Sequence, residues 1–320
     1  MPATARPPPP RYARRVTHAA QTESDPLHGG VPAGIAENPA NPAADDHPVT
    51  DDLALALALA DAADAITVAR FQAVDLLVEA KPDATPVTDA DTAVEAMIRE
   101  RLAQARPGDA VLGEEQGLIG DARRRWVVDP VDGTKNFVRG VPVWGTLLAL
   151  EVDGTVVVGV ASAPAMGRRW WAARGHGAHT RTVAGEIRSL SVSAVADLAD
   201  AYMSFASIES WSAAGRLESF MNLVATVWRT RAFGDFWSHM MVAEGAVDLA
   251  CEPDVSLWDM AALQVIVEEA GGTFTDLTGR PDPAGGSVLT SNSRLHTRAL
   301  EILNQPSMSA PGTEACGRAI

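Results

Sequence analysis

The stretch Trp126-Val-Val-Asp129-Pro-Val-Asp132-Gly-Thr134-Lys-Asn136 decides how this 320-residue chain is interpreted. Its apolar start predicts a short strand, Trp126–Val128, that stops at Asp129-Pro130. Asp129 and Asp132 lie three positions apart, with a proline and a glycine shaping the turn. Both carboxylates, and the carbonyl of Val131 between them, can therefore face one pocket. An Asp beside Pro or Gly is more often an ordinary turn former, so the stretch alone leaves both interpretations open.

Two further acidic stretches also follow apolar segments. Gly113-Glu114-Glu115 is one, and Leu257-Trp258-Asp259-Met-Ala-Ala262 is the other. Loops at strand ends are where layered α/β proteins build their sites. Because Mg²⁺ prefers hard oxygen ligands, the combined stretches suit two Mg²⁺ ions. The candidate metal ligands are the carboxylates of Glu114, Asp129, Asp132 and Asp259 and the carbonyl of Val131.

Composition narrows the possible functions. The chain has 26 basic and 41 acidic residues, a net charge of −15. This balance argues against binding to nucleic acid and favours an acidic pocket that collects cations. No apolar run approaches the roughly 18 to 20 residues of a membrane-spanning helix, so we expect no membrane association. The only cysteines, Cys251 and Cys316, exclude a disulfide framework and a cysteine-type zinc site, and we expect a cytoplasmic protein.

The pattern predicts four segments. Residues 1–48 form a Pro/Ala-rich extension that we expect to be disordered, and 306–320 a flexible tail. Residues 49–190 are expected to form an N-terminal α+β subdomain with most metal ligands, and 191–305 a C-terminal α/β subdomain. The predicted class is mixed α/β with layered sheets and helices. Predicted elements include a helix Asp51–Phe71, a loop Lys81–Thr88, a capping box Thr88–Asp91 with a helix to Ala105, a hairpin around Asp153-Gly154, and a helix Met260–Ala270.

The order Glu-Glu, D-P-x-D-G-T and W-D-x-A-A closely resembles the inositol monophosphatase family of Mg²⁺-dependent phosphomonoesterases. The resemblance covers about residues 51–305, essentially the whole predicted folded part. The stretches Thr134–Trp144 and Arg168–Arg174 are most similar to the actinobacterial histidinol-phosphatase branch. The resemblance implies an αβαβα sandwich, two or three Mg²⁺ ions in each active site, and a homodimer.

It also implies residue roles. Glu114, Asp129, Val131, Asp132 and Asp259 match the family's metal-binding positions. Asp91, with Glu114 and Thr134, matches the residues that position the attacking water. Lys81 lies where the family often has a lysine near the phosphate. The expected substrate-binding residues are Asp132, Gly133, Thr134, Lys135, Arg231, Asp235, Glu252 and Asp259.

The expected activity is hydrolysis of L-histidinol phosphate, a small phosphorylated metabolite, by a phosphoric monoester hydrolase. Two or more divalent ions would remove the repulsion between the phosphate dianion and an attacking hydroxide, so direct in-line attack needs no covalent intermediate. Asp235 or Glu252 would take the ammonium of the leaving group. Two alternatives stay open: a phosphatase for inositol monophosphate, fructose 1,6-bisphosphate or 3′-phosphoadenosine 5′-phosphate, and a non-catalytic metal- or ligand-binding regulator.

Overall fold

The computed structural model describes residues 47–82 and 85–305. The predictions for the tail at 306–320, and for all but the last two residues of the extension at 1–48, lie outside the described residues. Eight α-helices are found in the described part: α1 Val49–Arg70, α2 Asp89–Ala105, α3 Thr134–Arg139, α4 Ile208–Ala213, α5 Leu217–Thr226, α6 Asp235–Ala243, α7 Leu257–Glu269 and α8 His296–Leu303. Among the described residues, no helix is both long enough and apolar enough to cross a membrane.

The strands form a two-stranded hairpin and two larger sheets. The hairpin pairs β1 Val78–Ala80 with β2 Pro86–Thr88. The eight-stranded sheet has the order β10-β9-β8-β7-β6-β5-β3-β4. Its strands are β3 Ala110–Gly113, β4 Gly117–Ile119, β5 Arg124–Asp132, β6 Gly145–Val152, β7 Thr155–Ala163, β8 Arg168–Ala173, β9 Ala178–Arg181 and β10 Ile187–Ser189.

The five-stranded sheet has the order β12-β11-β13-β15-β14. It contains β11 Tyr202–Phe205, β12 Arg229–Arg231, β13 Leu249–Glu252, β14 Thr273–Thr275 and β15 Val288–Ser291. Strands β11, β12 and β13 run parallel, whereas β15 runs antiparallel to both β13 and β14.

Alternation along the strands of the large sheet explains the layers. On β6, Leu148 and Leu150 pack against α1 and α2, whereas Leu147 and Ala149 belong to the core beneath α6 and α7. Successive strand residues point to opposite faces, so this sheet is covered on both sides. One face of the five-stranded sheet packs against α6 and α7, and its other face packs against α4, α5 and α8. The layers therefore run helix, sheet, helix, sheet, helix, which confirms the αβαβα sandwich.

Local sequence accounts for α1 and α2, the two helices on the outer face of the large sheet. Ala56, Leu59, Ala60 and Ala63 form a small-residue stripe that buries α1. The predicted capping box at the start of α2 is confirmed: Thr88 accepts from the first turn, and Asp91 accepts from the N–H of Thr88. The predicted hairpin around Asp153-Gly154 is also confirmed, as β6 and β7.

Two local predictions are wrong. The predicted loop Lys81–Thr88 contains strand β2, because Pro86 pairs with Ala80 at a hairpin edge, where a missing N–H costs little. The strand predicted to stop at Asp129-Pro130 continues to Asp132, because its pairing with β6 shifts register between Asp129 and Asp132 and this irregularity accommodates the proline. The hydroxyl of Thr146 donates to the displaced carbonyl of Pro130 at 2.9 Å.

Candidate active site

Three carboxylates meet where β5 ends and α7 begins. One oxygen from each of Asp129, Asp132 and Asp259 lies within 4.8 Å of the others. The irregular end of β5 carries the first two, and Asp259 lies in the first turn of α7, where it completes a capping box with Ser256. Three carboxylates this close repel one another in the absence of a cation, and oxygen ligands at this spacing suit a small divalent metal ion.

The main chain fixes one oxygen of each carboxylate. Val131 N–H donates to Asp129 Oδ1 at 2.9 Å, and Phe236 N–H donates to Asp132 Oδ2 at 2.9 Å. Ser256 N–H donates to Asp259 Oδ2 at 2.8 Å. Within the described residues, the second oxygen of each has no hydrogen-bond donor. The cluster is thus held rigidly while keeping acceptor capacity for a ligand.

The electrostatics of the cluster favour binding of a cation. Burial, followed by the charges of Glu114 and Asp132, raises the pKa of Asp129 well above its ordinary value. Burial, followed by the charges of Asp235 and Asp259, does the same to the pKa of Asp132. Burial raises the pKa of Asp259 to about 7, although the Ser256 hydrogen bond opposes the shift. A bound divalent cation would reverse these shifts, so the donor set fits a metal centre.

Glu114 lies beside this cluster, at the end of β3. Its Oε1 is 2.7 Å from Lys81 Nζ, which also lies 2.7 Å from Glu115 Oε1. Burial alone would lower the pKa of Lys81, but the hydrogen bonds to the two glutamates outweigh it and raise the pKa. Lys81 is therefore a fixed cation that holds the Glu114 side chain at the wall of the site.

The buried side chain of Glu95 shapes the loop that carries Glu114. Its two carboxylate oxygens accept the N–H groups of Glu115, at 2.8 Å, and Gln116, at 3.0 Å. A Cβ added at Gly113 would lie 2.3 Å from the Glu95 carboxylate, so the glycine leaves room for this support. Helix α2 thereby fixes the conformation of this loop through the Glu95 carboxylate.

Thr134 and Asp91 lie together near Glu114, whose charge acts on Asp91. The Thr134 hydroxyl lies 2.9 Å from the Val131 carbonyl and 3.3 Å from Asp91 Oδ1. Burial raises the pKa of Asp91, although hydrogen bonds from the hydroxyl and N–H of Thr88 oppose the shift. The structure thus brings Asp91, Thr134 and the Val131 carbonyl into one hydrogen-bonded group.

A cavity of about 640 Å³ opens above these residues. Its polar lining includes Glu114, Thr134 and Asp259, and its outer wall carries aromatic and small residues. These outer residues are Pro86, Ala206, Ala232, Phe233 and Trp258. The space suits a small substrate that carries a ring as well as a phosphate.

Asp235 enters the cavity from the start of α6. Its backbone is left-handed, with φ of 50°, and its Oδ2 accepts from Asn136 Nδ2 at 2.9 Å. Gly133 leaves room for this approach: a Cβ there would lie 3.4 Å from Asp235 Oδ2 and 3.0 Å from the Val143 carbonyl, and its φ of 80° also favours glycine. Burial, followed by the charge of Glu252, raises the pKa of Asp235 to about 6, with Lys135 opposing the shift.

The three remaining residues that were predicted to bind substrate lie in different parts of the structure. Lys135 is exposed at the cavity rim. Glu252 is buried at the end of β13, close enough for its charge to act on Asp132, Asp235 and Asp259. Arg231 is exposed on the edge strand β12, where it donates to the Thr230 carbonyl, and it does not line the cavity.

Sequence reasoning missed three supporting residues. Glu95 is a charged residue in a helix interior, and nothing in its pattern marks it as buried. Asn136 ends the acidic stretch that begins at Trp126, but its partner Asp235 lies 99 residues away. His239 sits between two apolar stretches, and only the fold shows that it contacts Glu252.

Comparison with known proteins agrees with this geometry. The family model described as "Inositol monophosphatase family" matches residues 49–307. The chain is 58% identical to a protein named histidinol-phosphatase from Streptomyces coelicolor, over 80% of this chain and 97% of that one. It is 56% identical to a histidinol-phosphatase from Mycobacterium tuberculosis, over 79% of this chain and 98% of that one.

Solved structures show the same fold. The extragenic suppressor protein suhB from Bartonella henselae superimposes with a TM-score of 0.73 at 31% identity, covering 80% of this chain and 99% of that one. An inositol monophosphatase from Zymomonas mobilis gives a TM-score of 0.72 at 32% identity, covering 81% and 100%. The match of motifs, fold and sequence leads to one conclusion: the chain belongs to the inositol monophosphatase family.

Proposed function

We propose that this protein is a Mg²⁺-dependent phosphatase that hydrolyses L-histidinol phosphate to L-histidinol and phosphate. The carboxylate cluster carries the hydrolytic part of the proposal, since it combines buried acids with unused acceptor capacity beside a cavity of substrate size. The similarity to proteins named histidinol-phosphatase supports the choice of substrate.

Asp129, Asp132, Asp259, Glu114 and the Val131 carbonyl would hold the metal. Bound Mg²⁺ would neutralise the phosphate charge, lower the pKa of water and stabilise the leaving oxygen. These oxygens are of the hard type that Mg²⁺ prefers, and several come from rigid positions. A cysteine or histidine set would instead have favoured zinc.

Thr134, Asp91 and Glu114 would orient the attacking water. When the Val131 carbonyl serves as a ligand, the Thr134 hydroxyl is left to donate to Asp91. Its oxygen then accepts a hydrogen bond from the water and aims the water at phosphorus. Glu114, held by Lys81, is the second acceptor for the water. A water with both of its protons accepted has one lone pair directed at the phosphate.

The phosphate would rest against the start of α3. Thr134 and Lys135 open that helix, and their N–H groups have no acceptor within it. Gly133 lines the same part of the cavity. The exposed ammonium of Lys135 would add a positive charge on the phosphate side.

The leaving group would lie toward Asp235 and Glu252. Histidinol carries an ammonium group and an imidazole, and two neighbouring carboxylates suit these cations. Within the lining residues, Lys135 is the one basic side chain, and we assign it to the phosphate. A second phosphate would therefore find little positive charge at the leaving-group end, which disfavours bisphosphate substrates.

The direct test compares phosphate release from L-histidinol phosphate and inositol 1-phosphate under the same Mg²⁺ concentration. We expect kcat/KM to favour L-histidinol phosphate by about a hundredfold or more, since an unpaired buried carboxylate penalises the wrong leaving group. A preference for inositol phosphate would contradict the proposed substrate and leave the metal site intact. Release from neither ester would contradict the proposed activity.

Asp235→Asn tests whether the charge of Asp235 contributes to this preference. The variant keeps an acceptor for Asn136 but loses the charge, so KM for L-histidinol phosphate should rise about tenfold, with a smaller effect on inositol phosphate. Asp254→Asn is the matched control, because Asp254 is exposed and does not line the cavity.

A further inference from the structure

His239 occupies a fully buried position on α6 and joins two strands of the five-stranded sheet. Its Nδ1 lies 2.9 Å from Thr290 Oγ1 on β15, and its Nε2 lies 3.2 Å from Glu252 Oε1 at the end of β13. The side chain is 0% exposed, so water does not compete for either nitrogen. The imidazole therefore ties the Glu252 carboxylate to the interior of the fold.

The partners determine which nitrogen carries a proton. The tautomer with a proton on Nε2 suits this site, because Nε2 then donates to a carboxylate oxygen of Glu252. The Thr290 hydroxyl can donate to Nδ1, because a hydroxyl both donates and accepts. This arrangement gives both ring nitrogens a hydrogen-bond partner and fixes the ring plane. Hydrogen-bond partners orient metal-binding histidines in the same way.

Glu252 does not line the cavity, but the His239 contact holds it one helical turn from Asp235, which does. After burial, its charge is the largest influence that raises the pKa of Asp235, and it also acts on Asp132 and Asp259. His239 lies four residues after Asp235, on the same face of α6. Helix α6 thus presents one carboxylate directly and holds a second one through the imidazole.

We propose that His239 is a positioning residue that orients Glu252 beside Asp235 and thereby sets the preference for a phosphate ester of an alcohol that carries cationic groups. This inference rests on the proposed function. Without the Nε2 donor, the Glu252 side chain would be free to rotate, and its charge would no longer be held near Asp235, the carboxylate that lines the cavity. The chemistry at phosphorus does not involve His239.

The test uses two substitutions that separate the two contacts. In His239→Gln, the amide nitrogen takes the place of Nε2 and keeps the donor to Glu252. In His239→Asn, the amide reaches only the Nδ1 position, so Glu252 loses its partner. The measured quantity is the ratio of kcat/KM for L-histidinol phosphate to that for glycerol 2-phosphate, whose leaving group is uncharged.

We expect His239→Asn to lower this ratio about tenfold, mainly through KM, and His239→Gln to restore most of it. His296→Gln is the control, because His296 is another buried histidine held by two hydroxyls, of Thr275 and Ser291, and it does not line the cavity. It should reduce stability without moving the ratio. Thermal melting of each variant shows how much stability each histidine contributes.

A second comparison tests whether His239 acts through Glu252. In a Glu252→Gln background, His239→Asn should cause no further fall in the ratio, since the effects of coupled residues do not add. An unchanged ratio in His239→Asn, equal losses in His239→Asn and His239→Gln, or additive losses with Glu252→Gln would each overturn the inference. Calorimetric binding of L-histidinol to the wild-type enzyme provides a readout that does not depend on turnover. Absent binding and absent hydrolysis in the wild type would overturn the proposed function as well.

Discussion

The buried carboxylate of Asp259 destabilises the protein when no metal is bound. The pKa of its carboxyl is raised from 3.8 to about 7, first by burial, with the charges of Glu114 and Glu252 adding to the shift. Between these two pH values the folded protein binds more protons than the unfolded chain. The free energy of unfolding of the metal-free protein therefore falls as pH rises through this window, and the penalty is complete above pH 7.

Asp259→Asn should consequently stabilise the metal-free protein. At pH 8 we expect an increase in the free energy of unfolding on the order of 2 kcal/mol, shrinking toward zero near pH 4. Asn keeps an acceptor for the Ser256 N–H, so the capping box survives. Denaturant unfolding in excess chelator measures the effect, with the exposed Asp254→Asn as the control. A lower free energy of unfolding of Asp259→Asn than of wild type at pH 8 would show that the ionised Asp259 carboxylate does not destabilise the metal-free protein.

Among single residues, the sequence predicted the acidic side chains of the site but not the side chains that position them. Asp129, Asp132 and Asp259 sit in a local pattern whose residue types suit a metal. The contacts of Asn136 with Asp235, and of His239 with Glu252, join residues that are distant along the chain or have no marking pattern. Such contacts depend on how strands and helices are stacked, which periodicity does not encode.

Helix α7 supplies the third carboxylate of the cluster, Asp259. It packs against the large sheet at Gly159 of β7, where an added Cβ would lie 2.4 Å from the Ala262 carbonyl. This close approach places the first turn of α7, with Asp259, against the end of β5. A glycine in a strand interior often marks such an approach of another backbone.

Gly159→Ala should therefore push α7 away and separate Asp259 from the other two carboxylates. We expect a loss of stability of about 1 to 3 kcal/mol and a several-fold weaker affinity for Mg²⁺. Gly154→Ala is the comparison: its φ is 79°, so the methyl adds strain, but nothing lies within 4 Å. That variant should lose stability and keep its Mg²⁺ affinity. Equal Mg²⁺ affinities in calorimetry would contradict the role given to the α7 contact.

Elements with strong local signals were predicted well. Helix α1, the capped start of α2 and the β6–β7 hairpin follow from composition, capping and turn chemistry. Strand β2 and the last four residues of β5 were missed, because in both a proline suggested an end to the pairing. A hairpin edge and a register shift accommodate these prolines, and only the neighbouring strand determines either feature.

For the whole molecule, the family resemblance predicted the stack of layers that composition alone did not. The αβαβα arrangement brings Glu114 from the loop after β3, Asp129 and Asp132 from β5, and Asp259 from α7 to one place. A bound cation would offset their mutual repulsion and so stabilise the fold. The net charge of −15 also favours accumulation of cations around the protein.

The most direct measurement is phosphate release from L-histidinol phosphate while Mg²⁺ is titrated, with wild type and Asp129→Asn in one assay. We predict saturable dependence on Mg²⁺, complete loss in excess chelator, and a kcat/KM at least about a thousandfold lower for Asp129→Asn, whose melting and circular dichroism should still show a folded protein. Undiminished release in chelator, or near wild-type turnover by a folded Asp129→Asn, would contradict the assignment of the three-carboxylate cluster as the catalytic metal centre.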